Sequence, residues 1–224
     1  MITSFRRTLL IFLPALFLAP SLGAQVGIST FYNSNDATVS LDNGAREEYP
    51  IPYGSGAEVA LNYWFRLPKN RVEFLPTVYY AQTTADGPRW REYGFQFKTN
   101  VYVFDLATDC DCPTFGKQGP RLDKGFFIQL APGVARHSLP GLSLQVESSP
   151  STTFSLGAGV GIDFGLSNLV TLTPLLSLRH HFGDFNGDVT FTDDNGVSPG
   201  SIETRLTTYQ VGLQATFRFD KRRY

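Results

Sequence analysis

The chain has 224 residues and a near-neutral balance of 19 basic against 20 acidic side chains, so it lacks the basic footprint of a nucleic-acid partner. Charged residues make up only 17%, below the ~25% usual in soluble domains. With 21 Gly and 14 Pro a helical bundle is excluded, and the length suits one all-β domain.

In chain order, the first element is an export signal. Arg6 and Arg7 form a basic start, Leu9 to Leu18 an apolar run, and Ser21-Leu22-Gly23-Ala24 a small-residue cleavage site. The run is shorter than the ~20 apolar residues of a membrane-spanning helix. No Cys stands at the cleavage site, which argues against a lipid anchor. Removing residues 1–24 leaves 224 − 24 = 200 residues, 25–224, with 19 − 2 = 17 basic side chains against 20 acidic ones.

The rest alternates with a period of two. Eight strands are predicted, at about 25–33, 55–67, 71–83, 90–105, 124–137, 152–166, 168–182 and 203–219. In 154–166, Phe154, Leu156, Ala158, Val160, Ile162, Phe164 and Leu166 oppose Ser155, Gly157, Gly159, Gly161, Asp163 and Gly165. In the last segment Tyr209, Val211, Leu213, Ala215, Phe217 and Phe219 oppose Thr208, Gln210, Gly212, Gln214, Thr216 and Arg218. Strands in soluble proteins average ~5–6 residues, whereas a tilted bilayer-crossing strand needs ~9–11, and these runs favour the bilayer.

Short connections, such as Pro68-Lys69-Asn70 and the turn at Ser167, fall at one end. The connections 34–54, 84–89, 138–151 and 183–202 fall at the other. That asymmetry is expected of barrels with tight periplasmic turns and longer outer loops; the long connection 106–123 is the exception. Aromatics gather at both ends, with Phe65, Phe74, Phe104, Phe126, Phe164, Phe217 and Phe219 on the periplasmic side. Tyr32, Tyr80, Tyr93, Phe154, Phe182 and Tyr209 lie on the outer side. Pro76, Pro132 and Pro174 fall inside strands on the apolar parity. A proline cannot donate to a ladder, so each requires a bulge or a local ladder gap.

These features together resemble the small bacterial outer-membrane β-barrels of the OmpA/OmpX type, the outer membrane protein beta-barrel domain family. The resemblance covers the whole of 25–224. It implies an eight-stranded antiparallel transmembrane barrel residing in the outer membrane as a monomer. It also implies an assembly signal in the last strand, with Gln210, Gly212, Ala215 and Phe217 at the motif positions and the barrel-assembly machinery as partner. The residues Asp220-Lys221-Arg222-Arg223-Tyr224 depart from a family that often ends on the aromatic itself.

The polar parity places Glu58, Arg66, Glu73, Glu92, Lys98, Asp163, Arg179, His181 and Arg218 inside. Lone buried ions cost several kcal/mol or more, so a paired network is expected. Eight strands leave an interior just wide enough for side chains to fill, which points to a structural or interaction role exercised through the outer loops. The alternatives are a small porin-like transport component and a lipid A-modifying enzyme. Arg179-His180-His181-Phe182 invites the enzymatic alternative, but no Ser follows closely, and no catalytic residue is assigned. Adjacent His180 and His181 point to opposite faces of a strand, so no metal or cofactor is expected. Cys110 and Cys112 are read as a local disulfide in an oxidising compartment, and the Asp- and Asn-rich 183–202 as a solvated loop. The expected partners are outer-membrane lipid and an unidentified surface or periplasmic protein, with no nucleic acid.

Overall fold

A computed structural model describes residues 25–42, 46–51, 54–66, 71–84, 89–104, 125–138, 150–167, 169–183 and 202–218. The strands are β1 (Gln25–Asp42), β2 (Arg46–Ile51), β3 (Ser55–Arg66), β4 (Val72–Thr84) and β5 (Arg89–Val101). They continue with β6 (Phe126–Ser138), β7 (Ser151–Ile162), β8 (Phe164–Gly165), β9 (Val170–Phe182) and β10 (Ile202–Arg218). The pairing runs β10-β1-β3-β4-β5-β6-β7-β9, and β10 also pairs with β9, which closes an eight-membered antiparallel ring. Short β8 continues β7 along β9. Closure leaves the eight-membered ring without an open edge, the condition for a sheet that crosses lipid.

Both ends of the ring are fixed by register. Gln25 lies opposite Arg218, so the first and last strands meet at one end, the same end as the short turns. The outward faces are apolar: Val26, Ile28, Leu61, Val78, Phe95, Leu130, Val160, Leu176 and Val211 are all exposed. The aromatics meet in bands at the two ends. Phe74 contacts Phe65 and Phe97 at 5.3 and 5.6 Å, and Phe104 contacts Phe126 at 5.5 Å. At the other end Tyr80 meets Tyr93 at 5.0 Å and Phe154 meets Phe182 at 6.0 Å. Phe219 lies outside the described residues.

The three prolines sit where the ladder opens. Between Asn62↔Thr77 and Phe65↔Phe74 two residues on each strand drop out of pairing, and Pro76 is among them. The same happens around Pro132, between Gln96↔Gly133 and Thr99↔Leu130. It happens again around Pro174, where β7 gives way to β8 between Gly161↔Leu175 and Phe164↔Leu172. The register is the same on both sides of each opening, so these are gaps and not bulges. On its other side each proline stays in register, with Phe97, Leu156 and Leu213 respectively. The missing N–H therefore costs one short stretch of one ladder and leaves the ring closed.

The first outer connection differs from expectation. β1 does not stop near 33 but continues to Asp42, paired with β10 as far as Leu41↔Ile202 and with β2 from Ala37↔Ile51. The run Asn33-Ser34-Asn35-Asp36 resembles a turn by composition. It stays extended because Asn33 and Asn35 face inward and find partners there. Asn35 donates to Thr83 Oγ1 at 3.0 Å and accepts from Thr208 Oγ1 at 2.8 Å.

Candidate functional site

The inward parity of every strand converges on the lumen, and its centre is Arg179 of β9. Arg179 is fully buried. Its Nη2 lies 2.8 Å from Glu58 Oε2 of β3 and 3.2 Å from Glu92 Oε1 of β5. The guanidinium sits 4.3 Å from the centroid of the Tyr79 ring of β4, a cation–π contact. Those three strands form the wall facing β9, so one side chain ties opposite sides of the ring together. The carboxylates are held from further directions. Tyr79 donates to Glu92 Oε1 at 2.5 Å, and Gln210 donates to Glu58 Oε2 at 3.0 Å and to Asn33 Oδ1 at 3.1 Å.

Toward the outer end this group runs into an imidazole pair. His137 Nε2 and His181 Nδ1 both contact Thr153 Oγ1, at 2.8 and 3.1 Å. Their other ring nitrogens face Glu92, at 3.9 and 3.6 Å. Trp90 stacks on His137 at 5.3 Å. The strand geometry separates the neighbouring histidines: His181 is inside, whereas His180 lies outward with its Nδ1 2.9 Å from Thr207 Oγ1.

A second acidic group occupies the end near the termini. The Tyr102 hydroxyl lies 2.7 Å from Glu73 Oε2 and 2.6 Å from Asp163 Oδ2, and Thr173 donates to Asp163 Oδ1. A cavity of about 10 Å³, the size for one water, lies among Gln25, Trp64, Glu73, Asn100, Asp163 and Gln214. Between the two groups an apolar cluster of Phe31, Tyr102, Phe127 and Leu175 occupies part of the lumen. Lys98 directs its ammonium at the Phe31 ring, 5.0 Å from the centroid. A polar relay runs beside them: Thr77 donates to Asn62, and Asn62 donates to Ser29 at 2.6 Å.

Of the residues expected inside, Glu58, Glu92, Arg179 and His181 come together, Glu73 and Asp163 form the separate group, and Lys98 lies between them. The side chains of Arg66 and Arg218 lie outside the described residues, as do Cys110, Cys112, residues 1–24 and most of 183–202. In β10, Gln210 and Gly212 face the lumen and Ala215 and Phe217 face outward. Gly212 has a local packing reason: a Cβ there would strike the Phe31 ring and Thr30 O. Gly161 makes room for Phe127 and Leu175, whose side chains a Cβ there would strike. Tyr79, Trp90, His137 and Thr153 escaped sequence reasoning. Strand parity was the signal that could have found them, since each shares the inward parity of its strand. Among the described residues no group of three His, Cys, Asp or Glu side chains is arranged to hold a metal ion.

A closed antiparallel ring with an apolar exterior, aromatic bands at both ends and a hydrogen-bonded interior defines a small outer-membrane β-barrel, and this chain is one. It is similar to the solved structures of neisserial surface protein A (14% identity, 88% of this chain and 97% of that one, TM-score 0.41) and OprG from Pseudomonas aeruginosa (11%, 88% and 97%, TM-score 0.45). It is likewise similar to the outer membrane protein AlkL (14%, 91% and 94%, TM-score 0.45). No family model and no curated protein matches the chain.

Proposed function

We propose that this protein is a non-conducting outer-membrane barrel that holds its outer loops at the cell surface for contact with a partner. The observation that carries this reading is the buried bridge from Arg179 to Glu58 and Glu92, stacked on Tyr79. A solute crossing the lumen would have to break ion pairs that lie out of water, a cost of several kcal/mol per ion. The aromatic and aliphatic plug of Phe31, Tyr102, Phe127 and Leu175 adds a second obstruction. Continuation of β1, β2 and β10 beyond the first inward layer supplies a rigid base for the outer connections.

Planar-bilayer recording of the purified chain tests the reading. A folded barrel is expected to give no stable single-channel steps. Stable steps of uniform size would reject it in favour of a small channel.

A further inference from the structure

The outward faces of β4, β5 and β6 carry no acidic residue along their whole length. They do carry arginines at the outer end. Arg91 and Arg136 are both exposed, Arg136 level with the outer aromatic band and Arg91 just beyond it. Arg91 lies opposite Ser138, and Arg136 lies opposite Tyr93. That makes the two arginines diagonal neighbours across one strand pair, a separation of about 7–8 Å between their backbones. Among the described residues neither is joined to a carboxylate. Like charges so placed repel each other unless an anion lies between them.

The surroundings extend the site. Gln82 lies opposite Arg91, and Tyr80 opposite Tyr93. The Tyr80 hydroxyl donates to Gln82 Oε1 at 3.1 Å, so the Gln82 amide N–H groups turn away from the ring and are available as donors. Directly alongside, a groove of about 550 Å³ runs over the outer face of β1, β3 and β4. Tyr32, Ala57, Val59, Tyr80, Gln82 and Thr84 line it. Its floor is low because Ala57 is small, and its walls are the two tyrosines. Its two tyrosines belong to the outer aromatic band, so the groove opens at the edge of the hydrocarbon, where the head-proximal part of an acyl chain lies.

The geometry points to a seat for one phosphate-bearing lipid of the outer leaflet, with an acyl chain in the Tyr32–Tyr80 groove and the phosphate between Arg91 and Arg136. Guanidinium groups suit this task, since the planar fork donates two parallel hydrogen bonds to phosphate oxygens. Gln82 supplies a further donor where groove and arginines meet. Arg205, also exposed, stands on β10, four strands round the ring from Arg91 and three from Arg136, and provides an internal control.

The test uses the full chain folded in neutral detergent, with native mass spectrometry counting retained lipid. The probes are phosphatidic acid and diacylglycerol of the same chain length. The wild type is expected to retain one phosphatidic acid in preference to diacylglycerol. Arg91→Gln/Arg136→Gln is expected to weaken that retention roughly 30-fold, the sum for two arginines each acting on an anionic lipid. Arg205→Gln is expected to behave as wild type, and Ala57→Phe, which fills the groove, to weaken retention. Arg91→Lys/Arg136→Lys keeps the charge and the fold but loses the fork, and is expected to fall between. Equal retention of the two lipids by the wild type would overturn the proposal. So would undiminished retention by the double glutamine variant, or an equal loss in Arg205→Gln. Heat-modifiable gel migration establishes that each variant is folded.

Discussion

Replacing Arg179 with Met tests how the lumen is held. Met keeps much of the volume and removes the charge. Glu58 and Glu92 are then left 1% and 2% exposed, deprived of the guanidinium that Arg179 placed 2.8 and 3.2 Å away. Breaking a buried pair by deleting one partner costs about 3–5 kcal/mol, because the remaining charge stays out of water. That corresponds to roughly two to four powers of ten in the unfolding equilibrium. Removing the stranded charges should repair most of the damage. Arg179→Met/Glu58→Gln/Glu92→Gln is therefore expected to be clearly more stable than Arg179→Met, since a buried ionic group exchanged as a whole for neutral side chains is often close to neutral. The assay is urea unfolding in phospholipid vesicles followed by tryptophan fluorescence. Both tryptophans, Trp64 and Trp90, face the lumen and report on it. Arg179→Met within about 1 kcal/mol of wild type, or a triple variant less stable than the single one, would refute the reasoning.

Further outcomes follow from the same structure. Leu130→Arg, in the middle of the outward face of β6, should cost about 2–4 kcal/mol in vesicle unfolding, the price of a cation near the bilayer midplane; no loss would mean that this face does not meet lipid. Gly212→Val should cost about 1–3 kcal/mol by forcing the Phe31 ring aside, visible as a smaller heat-modifiable fraction. Pro132→Ala should change unfolding by less than about 1 kcal/mol, because the ladder is already open at that position.

Much of the barrel was legible beforehand. The period of two in β7 and β10 fixed which side chains face lipid, and the positions of Pro76, Pro132 and Pro174 told where the ladder must open. The extension of β1 through Asn33-Ser34-Asn35-Asp36 was not legible. Those residues favour turns in isolation, and only partners such as Glu58, Thr83 and Thr208, brought from distant strands, keep the segment extended. The lumen was half legible. Glu58, Glu92 and Arg179 were recognisable as inward charges, but Tyr79, Trp90 and His137 have the same composition as belt aromatics and surface residues.

The sequence by itself determined the face on which each side chain lies, because alternation along a strand follows from local backbone geometry alone. Only the tertiary structure decided which inward side chains meet. The closed ring and its stagger set the height of each residue, and a shift of two residues in the register of β9 with its neighbours would leave every face unchanged while moving Arg179 away from the level of Glu58.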